Sequence, residues 1–286
     1  MAQKKKVWPV GLLCRVLGVS RSGYYDWQRR QNRPPDPVHE EKVSWVKTLA
    51  EKSKNSYGSR RMARGLRALG YPVGRHQARR LMQKADVRVR YQRPYRITTD
   101  SRHAQPVFPN RLQRDFQPKA VNRVWAGDIT YIWTREGWLY LAVVIDLFSR
   151  KVIGWAMGKR LTSHLVIDAM VMALWSRRPA KGQLIHHSDR GVQYASHAFR
   201  KLLKDYGVEG SMSRKGNCWD NAVVESFFGT LKSERVHWQH YQTREEARQD
   251  IVDYIVMFYN CQRLHSTLGY QSPNQFERNG QLAKAA

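Results

Sequence analysis

The pattern of apolar and polar residues changes at about residue 123 of this 286-residue chain. Before that point apolar residues recur at helical spacing, as Met62, Leu66 and Leu69 do. Beyond it, short stretches rich in β-branched and aromatic residues alternate with helical patterns. The pattern therefore predicts an all-helical front part followed by a mixed α/β part.

The front part begins with two short helices, predicted within residues 10–30, and Ser20 is predicted to cap the second. The proline-rich stretch Asn32–Pro37 interrupts the chain before an amphipathic helix predicted over residues 39–53. This arrangement indicates a short N-terminal helical segment that is separate from the domain behind it.

A helix-turn-helix is predicted next. Ser59 is predicted to cap its first helix, Gly70 to end it, and Arg75–Lys84 to form the second helix. No acidic residue occurs between Arg60 and Lys84, whereas a merely solvated helical hairpin, the alternative, usually mixes both signs of charge. A basic second helix is typical of DNA-binding helix-turn-helix domains. The residues predicted to contact DNA here are Arg60, Arg61, Arg75, Arg79 and Arg80.

The net charge of +27 is concentrated in the front part of the chain. Residues 1–123 hold 29 Lys and Arg against 8 Asp and Glu, while residues 124–286 hold 21 against 15. An imbalance of this size favours a polyanionic partner over a merely solubilising surface. A basic membrane-surface protein would need an amphipathic helix with a wide apolar face or a lipidation signal, and the sequence has neither.

No secretory signal and no run of 18 apolar residues is found, so a membrane-bound or exported protein is not expected. The three cysteines, Cys14, Cys218 and Cys261, are far apart and odd in number. They are typical of reduced thiols and not of a disulfide framework or a zinc site.

From residue 123 the pattern predicts three strands, then a helix, a strand, a helix, a strand and two helices. This order is that of the ribonuclease H-like fold, a mixed sheet flanked by helices. Ser163 is predicted to cap the first of these helices, and Thr243 to cap the last, with Glu246 completing a capping box. The expected organisation is an N-terminal helical segment (1–35), a helix-turn-helix domain (38–90), a basic linker (91–122), a catalytic core with a C-terminal helix (123–276) and a tail (277–286).

Three acidic residues carry the candidate chemistry. Asp128 lies in a predicted strand, Asp189 at the end of another, and Glu225 in a predicted helix. Between Asp189 and Glu225 lie 35 residues, and Lys232 follows Glu225 by seven. This arrangement resembles the D-D-E catalytic core of retroviral integrases and bacterial insertion-sequence transposases. Asp146, also at a strand end, has no place in that pattern and is assigned to the structure of a turn.

Three carboxylates from separate elements suit phosphodiester chemistry, because two divalent ions about 4 Å apart can activate the attacking oxygen and stabilise the leaving oxygen. Oxygen ligands are those that Mg²⁺ prefers. The sequence therefore predicts that Asp128, Asp189 and Glu225 converge at one end of the sheet and share Mg²⁺, with Mn²⁺ as a substitute. No nucleotide cofactor is expected, since strand transfer does not require one.

The predicted helix around Glu225 has one polar face, formed by Asn221, Glu225, Gly229 and Lys232 at spacings of four, four and three. Lys232 is expected to contact DNA near the cleaved bond. Asn221 is also predicted to bind DNA, where it would orient Glu225 or the DNA strand. A surface ion pair between Glu225 and Lys232 is the alternative, but seven residues are too many for direct pairing.

The resemblance extends to the C-terminal stretch N-C-Q-R-L-H-S-T-L-G-Y-Q-S-P and covers the chain from about Tyr57 to Pro273. The family is that of OrfB-type insertion-sequence transposases. It implies binding of double-stranded DNA, nicking of an element end and joining of its 3′-hydroxyl to new DNA by a homo-oligomer in the bacterial cytoplasm, at the nucleoid. It also implies an upstream-frame protein or fusion as a partner. A nuclease that only hydrolyses DNA and a non-catalytic DNA-binding regulator are the alternatives.

Overall fold

A computed structural model describes residues 8–32, 36–90, 106–113, 117–214 and 221–285. The predicted linker at 91–122 therefore lies partly outside the described residues. The α-helices are α1 (Val10–Val16), α2 (Arg21–Asn32), α3 (Pro37–Lys52), α4 (Ser59–Ala68), α5 (Arg75–Lys84), α6 (Ser163–Arg177), α7 (Val192–Ala195), α8 (His197–Asp205), α9 (Ala222–Glu234), α10 (Arg244–Asp253) and α11 (Pro273–Ala285). The strands are β1 (Val124–Thr134), β2 (Gly137–Asp146), β3 (Val152–Gly158), β4 (Ile185–Ser188) and β5 (Glu209–Met212).

The strands form one mixed sheet in the order β3-β2-β1-β4-β5. A tight turn joins β1 to β2, and β1, β2 and β3 are antiparallel neighbours. The strands β1, β4 and β5 run parallel, because helical crossovers separate them along the chain. This confirms the predicted ribonuclease H-like mixed sheet.

Helices cover both faces of the sheet. One face packs against α6, α7 and α8, with Trp125, Phe199 and Met170 in its core. A Cβ atom at Gly154 of β3 would lie 2.2 Å from the carbonyl oxygen of Ala169, so α6 approaches the sheet more closely than a larger residue would permit. The other face packs against α9, α10 and the π-helical turn that follows α10.

The helical domain has its own core, in which α3, α4 and α5 bury Val46, Met62, Leu66 and Leu81. The predicted second helix begins and ends as expected, and Gly70 follows α4 with a φ of +90°. The predicted cap at Ser59 is wrong. Gly58 is the cap residue and offers no side-chain acceptor.

Three further details refine the predicted organisation. The boundary at residue 276 falls inside α11, where the buried Glu277 accepts hydrogen bonds from Arg177 at 2.6 and 2.9 Å. Thr162, not the predicted Ser163, precedes α6 as its cap residue. The structural role assigned to Asp146 is confirmed, since its buried carboxylate accepts from the backbone N–H groups of Asn122 and Phe148 at 2.9 Å each.

Candidate active site

Asp128 and Asp189 lie at neighbouring positions where β1 and β4 end their pairing. The last paired residues of these parallel strands are Gly127 and Ser188, which lie opposite each other. Asp128 and Asp189 are the next residues on the two strands, and neighbouring strands are about 4.8 Å apart. The register of two strands distant in sequence therefore brings the two carboxylates to one sheet edge.

Backbone groups orient both carboxylates. The N–H of Ile129 donates to Oδ1 of Asp128 at 2.7 Å, and the N–H of Gly191 donates to Oδ1 of Asp189 at 2.9 Å. A Cβ atom at Gly191 would lie 3.0 Å from that same Asp189 oxygen. A glycine at this position lets the loop fold tightly around the acid.

Glu225 reaches the same edge from the first turn of α9. Asn221, the residue before α9, is buried, and its Nδ2 donates to the carbonyl oxygen of Gly127 at 3.2 Å. Gly127 is the residue before Asp128, so this hydrogen bond ties the start of the Glu225 helix to the strand that carries Asp128. Asn221 thus holds strand β1, a role that the sequence did not predict, and its burial speaks against the predicted contact with DNA.

The three carboxylates perturb one another electrostatically. Burial raises the pKa of Asp128 well above its ordinary value, and the charges of Asp189 and Glu225 raise it further. Burial also raises the pKa of Glu225, and the charge of Asp189 raises it further. Carboxylates that repel one another in this way are stabilised by a cation placed among them. Their oxygen chemistry therefore fits a hard divalent ion such as Mg²⁺.

The carboxylates are near one another but do not form a ready-made metal cage. Within the described ranges no three His, Cys, Asp or Glu side chains are close enough together to hold an ion. Sharing of an ion by all three acids therefore stays a prediction. The residues just before α9, 215–220, lie outside the described ranges.

Tyr194 is a neighbour of the site that the sequence did not single out. The carboxylates of Asp128 and Asp189 contribute to a pKa of Tyr194 that burial already raises well above its ordinary value. A Cβ atom at Gly127 would lie 3.3 Å from the Tyr194 hydroxyl and 2.8 Å from Nε2 of His186. Gly127 thus permits two buried aromatic rings to pack directly behind the strand that carries Asp128.

Lys232 lies on the same side of α9 as the acids. Its Nζ is 4.9 Å from the centre of the Tyr131 ring, three residues beyond Asp128 on β1. Burial lowers the pKa of Lys232, while the charge of Asp128 raises it. The ammonium group therefore lies over the Tyr131 ring and within electrostatic range of Asp128, where a phosphate would gain a positively charged neighbour.

The predicted DNA-contacting arginines divide into two groups. Arg60, Arg75, Arg79 and Arg80 are exposed, and Arg60 and Arg75 line one cavity of about 490 Å³. Arg61 also lines this cavity, but it is only partly exposed, and its Nε donates to the carbonyl oxygen of Leu264 at 2.9 Å. Arg61 therefore joins the helical domain to the core. These contacts with the core argue against the predicted contact of Arg61 with DNA.

A buried polar cluster connects the helical domain to the end of α9. Glu234, the last residue of α9, accepts from Nε and Nη2 of Arg263 at 2.9 and 2.8 Å. The hydroxyl of Tyr254 donates to it at 2.9 Å, and Nη1 of Arg61 lies 3.6 Å away. The Tyr57 hydroxyl, on the helical domain, donates to the carbonyl oxygen of Gln262 at 3.2 Å. We call Arg61, Glu234, Tyr254 and Arg263 the interdomain cluster.

Known proteins resemble this chain in both of its parts. A model of an integrase core domain matches residues 118–218, a second integrase core model matches residues 225–281, and a model of an HTH-like domain matches residues 38–95. The first range contains the sheet, the second contains Glu225 and most of the interdomain cluster, and the third contains the helical domain. Fold and site thus define a protein of the integrase-core class.

Individual relatives are similar over nearly their whole length. The chain is 44% identical over 272 residues to the insertion element IS600 uncharacterized 31 kDa protein of Shigella sonnei, covering 95% of this chain and 100% of that protein. It is also 44% identical over 267 residues to the transposase InsF for insertion sequence IS3A of Escherichia coli K12, covering 93% and 92%. The chain therefore belongs to the insertion-sequence transposase family that has an integrase core.

A more distant likeness is to the solved catalytic core domain of HTLV-2 integrase in complex with magnesium. It is 18% identical, covers 56% of this chain and 99% of that one, and has a TM-score of 0.43. A likeness at this level carries no conclusion about the chemistry of this chain.

Among the helices that the structure describes, none combines the length and the apolar character that crossing a membrane requires.

Proposed function

We propose that this chain binds the ends of an insertion sequence and catalyses Mg²⁺-dependent cleavage and strand transfer, with Asp128, Asp189 and Glu225 as its catalytic residues. The observation that carries the proposal is the register of β1 and β4, which places Asp128 beside Asp189, together with the hydrogen bond from Asn221 that holds the Glu225 helix against Gly127. The mutual repulsion of the carboxylates suits them to a cation, not to solvent alone.

The chemistry requires little covalent work from the protein. An oxygen, from water in cleavage or from a 3′-hydroxyl in joining, forms one bond to phosphorus while another P–O bond breaks. When bound, Mg²⁺ (or Mn²⁺) supplies positive charge to the attacking and leaving oxygens. Asp128, Asp189 and Glu225 would hold that charge in place. Since joining exchanges one phosphodiester for another, no nucleotide cofactor is consumed.

Double-stranded DNA would be held by the helical domain through Arg60, Arg75, Arg79 and Arg80. These exposed side chains have no partner among the described residues, unlike Arg61. Arginine contacts of this kind position phosphates without reading sequence. The homo-oligomer, the upstream-frame protein or fusion, and the nucleoid location remain proposals that follow from the family.

The test is an end-joining assay with labelled oligonucleotides that carry the terminal repeats flanking the gene. Asp128→Asn, Asp189→Asn and Glu225→Gln should each abolish nicking and joining while end binding is retained. Asp168→Asn, on the exposed side of α6, is a matched control that should remain active. Robust joining by any of the three acid variants would overturn the assignment. Cutting without joining by the unaltered protein would indicate a nuclease, and neither activity would indicate a regulator.

A further inference from the structure

An open aromatic groove lies beside the proposed catalytic residues, along the second half of β1. Tyr131, Trp133 and Trp138 line it, and its cavity has a volume of about 390 Å³. The ring centres of Trp133 and Trp138 are 4.8 Å apart, and those of Tyr131 and Trp138 are 5.0 Å apart. We call these three side chains, together with the residues that face them, the aromatic groove. The residues facing them are Arg135, Lys232, Val236, His237, Gln239, His240 and Tyr241.

Packing within the domain does not account for these rings. Trp133 is 59% exposed and Trp138 is 42% exposed, although each ring is large and mostly apolar. Strand β1 pairs with β4 only over Val124–Gly127, so along the groove β1 has a described strand neighbour on one side only. An exposed cluster of aromatic residues next to an open strand edge is typical of a binding surface.

The groove begins close to the proposed catalytic residues. Tyr131 follows Asp128 by three residues on an extended strand, a distance of about 10 Å. The two side chains leave β1 on opposite faces, but the Tyr131 ring contacts Lys232 of α9 at the edge of β1 that β4 leaves unpaired. Lys232 follows Glu225 by seven residues on α9, which is also about 10 Å along a helix. Both estimates correspond to about three nucleotides at roughly 3.4 Å per nucleotide. A DNA strand held at the acids would therefore reach the groove with a base within three positions of the reacting phosphate.

The charge around the groove favours nucleic acid. Of the side chains that line it, Lys232 and Arg135 are cationic, and none is acidic in the part of the chain that the structure describes. The Lys232 ammonium already lies over the Tyr131 ring at 4.9 Å. Aromatic rings beside cations bind bases by stacking without regard to sequence, since every base has a π face.

We propose that the aromatic groove takes up one or two unpaired bases from the end of the DNA element. Where the element end continues into flanking DNA, both faces of each base are occupied by its neighbours, so stacking on Trp133 or Trp138 requires the base pairs at the element end to open. The stacking would offset part of the cost of opening and hold the reacting strand against the acids. This inference rests on the proposed function, because it names the part of the DNA that the same site receives.

The test combines photo-crosslinking with joining. End oligonucleotides carry 5-iodouracil at each of the last few positions, and binding is done with the Glu225→Gln protein so that no DNA is consumed. We expect crosslinks from positions within three nucleotides of the cleaved bond, mapping to Trp133, Trp138 or Tyr131. Crosslinks confined to other residues would overturn the proposal, whether or not the unaltered protein joins DNA.

Joining then measures what the stacking contributes. Trp133→Ala should lower joining of fully paired ends by roughly 10- to 100-fold, the factor expected for one lost base–aromatic stack. Trp133→Phe should recover most of it, since a ring is retained. Trp175→Ala, an exposed tryptophan on α6, is the matched control and should join normally.

Abasic DNA separates this proposal from its rivals. Removing the crosslinked base should weaken joining by the unaltered protein and add little to the loss caused by Trp133→Ala, because both changes delete one interaction. Fully additive losses would overturn the proposal. A change in the oligomeric state of the DNA-free protein on Trp133→Ala, measured by sedimentation, would assign the groove to a second copy of the chain instead. A failure of the proposed function itself is recognised separately, by an unaltered protein that joins no DNA.

Discussion

Replacing Glu234 by alanine should destabilise the protein more than any single change on its surface. The substitution removes a bidentate contact with Arg263, the hydrogen bond from Tyr254 and the ion pair with Arg61. The Arg263 side chain is only 6% exposed and would be left as a buried charge without its carboxylate. Breaking a buried pair from one side costs about 3–5 kcal/mol.

That loss is a large share of the roughly 5–15 kcal/mol that stabilises a typical domain. At about 2–4 °C per kcal/mol for a domain of 150–250 residues, the midpoint of thermal unfolding should fall by roughly 6–20 °C. Urea denaturation followed by circular dichroism would give the free energy of unfolding directly. Glu234→Gln, which keeps the shape and one acceptor oxygen, should lose less.

The same substitution should reduce joining below the unfolding temperature. Glu225 lies nine residues before Glu234 on α9, so loosening one end of the helix displaces the carboxylate at the other. Glu245→Ala, which removes a 64% exposed carboxylate paired with Arg248, is the matched control and should change stability by less than about 0.5 kcal/mol. A loss of under about 1 kcal/mol for Glu234→Ala would refute the reasoning.

Three further predictions concern DNA and pH. Changing Arg75, Arg79 and Arg80 together to alanine should weaken end binding and reduce the slope of log K against log salt by roughly 2.7, since each phosphate contact contributes about 0.9. Lys232→Ala should reduce joining more than it reduces Mg²⁺ affinity, because an ammonium group contacts phosphate and cannot bind the metal, and Lys232→Arg should retain part of the activity. Glu277→Gln should destabilise the protein by roughly 1–3 kcal/mol at neutral pH. Hydrogen bonds from Arg177 lower the pKa of Glu277 below its ordinary value of 4.5, so the stabilisation is present above pH 4.5 and is lost as the pH falls through the lowered pKa.

Each of these has an outcome that counts against it. An unchanged salt slope would mean that the basic side of α5 is only solvated. Normal joining by Lys232→Ala would remove this lysine from the site. A stability difference for Glu277→Gln that persists unchanged in acid would mean that the carboxylate charge is not what holds α11.

Local sequence was sufficient where neighbouring residues determine the structure. The second helix of the helical domain was predicted with its correct bounds, because three apolar residues recur at helical spacing and a glycine separates it from the helix before it. The capping of α10 was also predicted, and Thr243 accepts from the N–H of Glu246 at 3.1 Å. The predicted caps at Ser59 and Ser163 were wrong, because either of two adjacent residues can precede the first turn of a helix and the sequence alone does not distinguish them.

The three acids were identified by the order and spacing of their motifs, but only tertiary structure explains why they meet. Asp128 and Asp189 are 61 positions apart, and the parallel register of β1 with β4 makes them neighbours. Adjacent arginines likewise diverge. Arg60 faces solvent and Arg61 binds the core, because consecutive residues on a helix point about 100° apart and only the docked partner decides which side is covered. The aromatic groove also depends on tertiary structure. Its walls come from the hairpin of β1 and β2 and from the end of α9 with the segment that follows it, and packing alone brings them together.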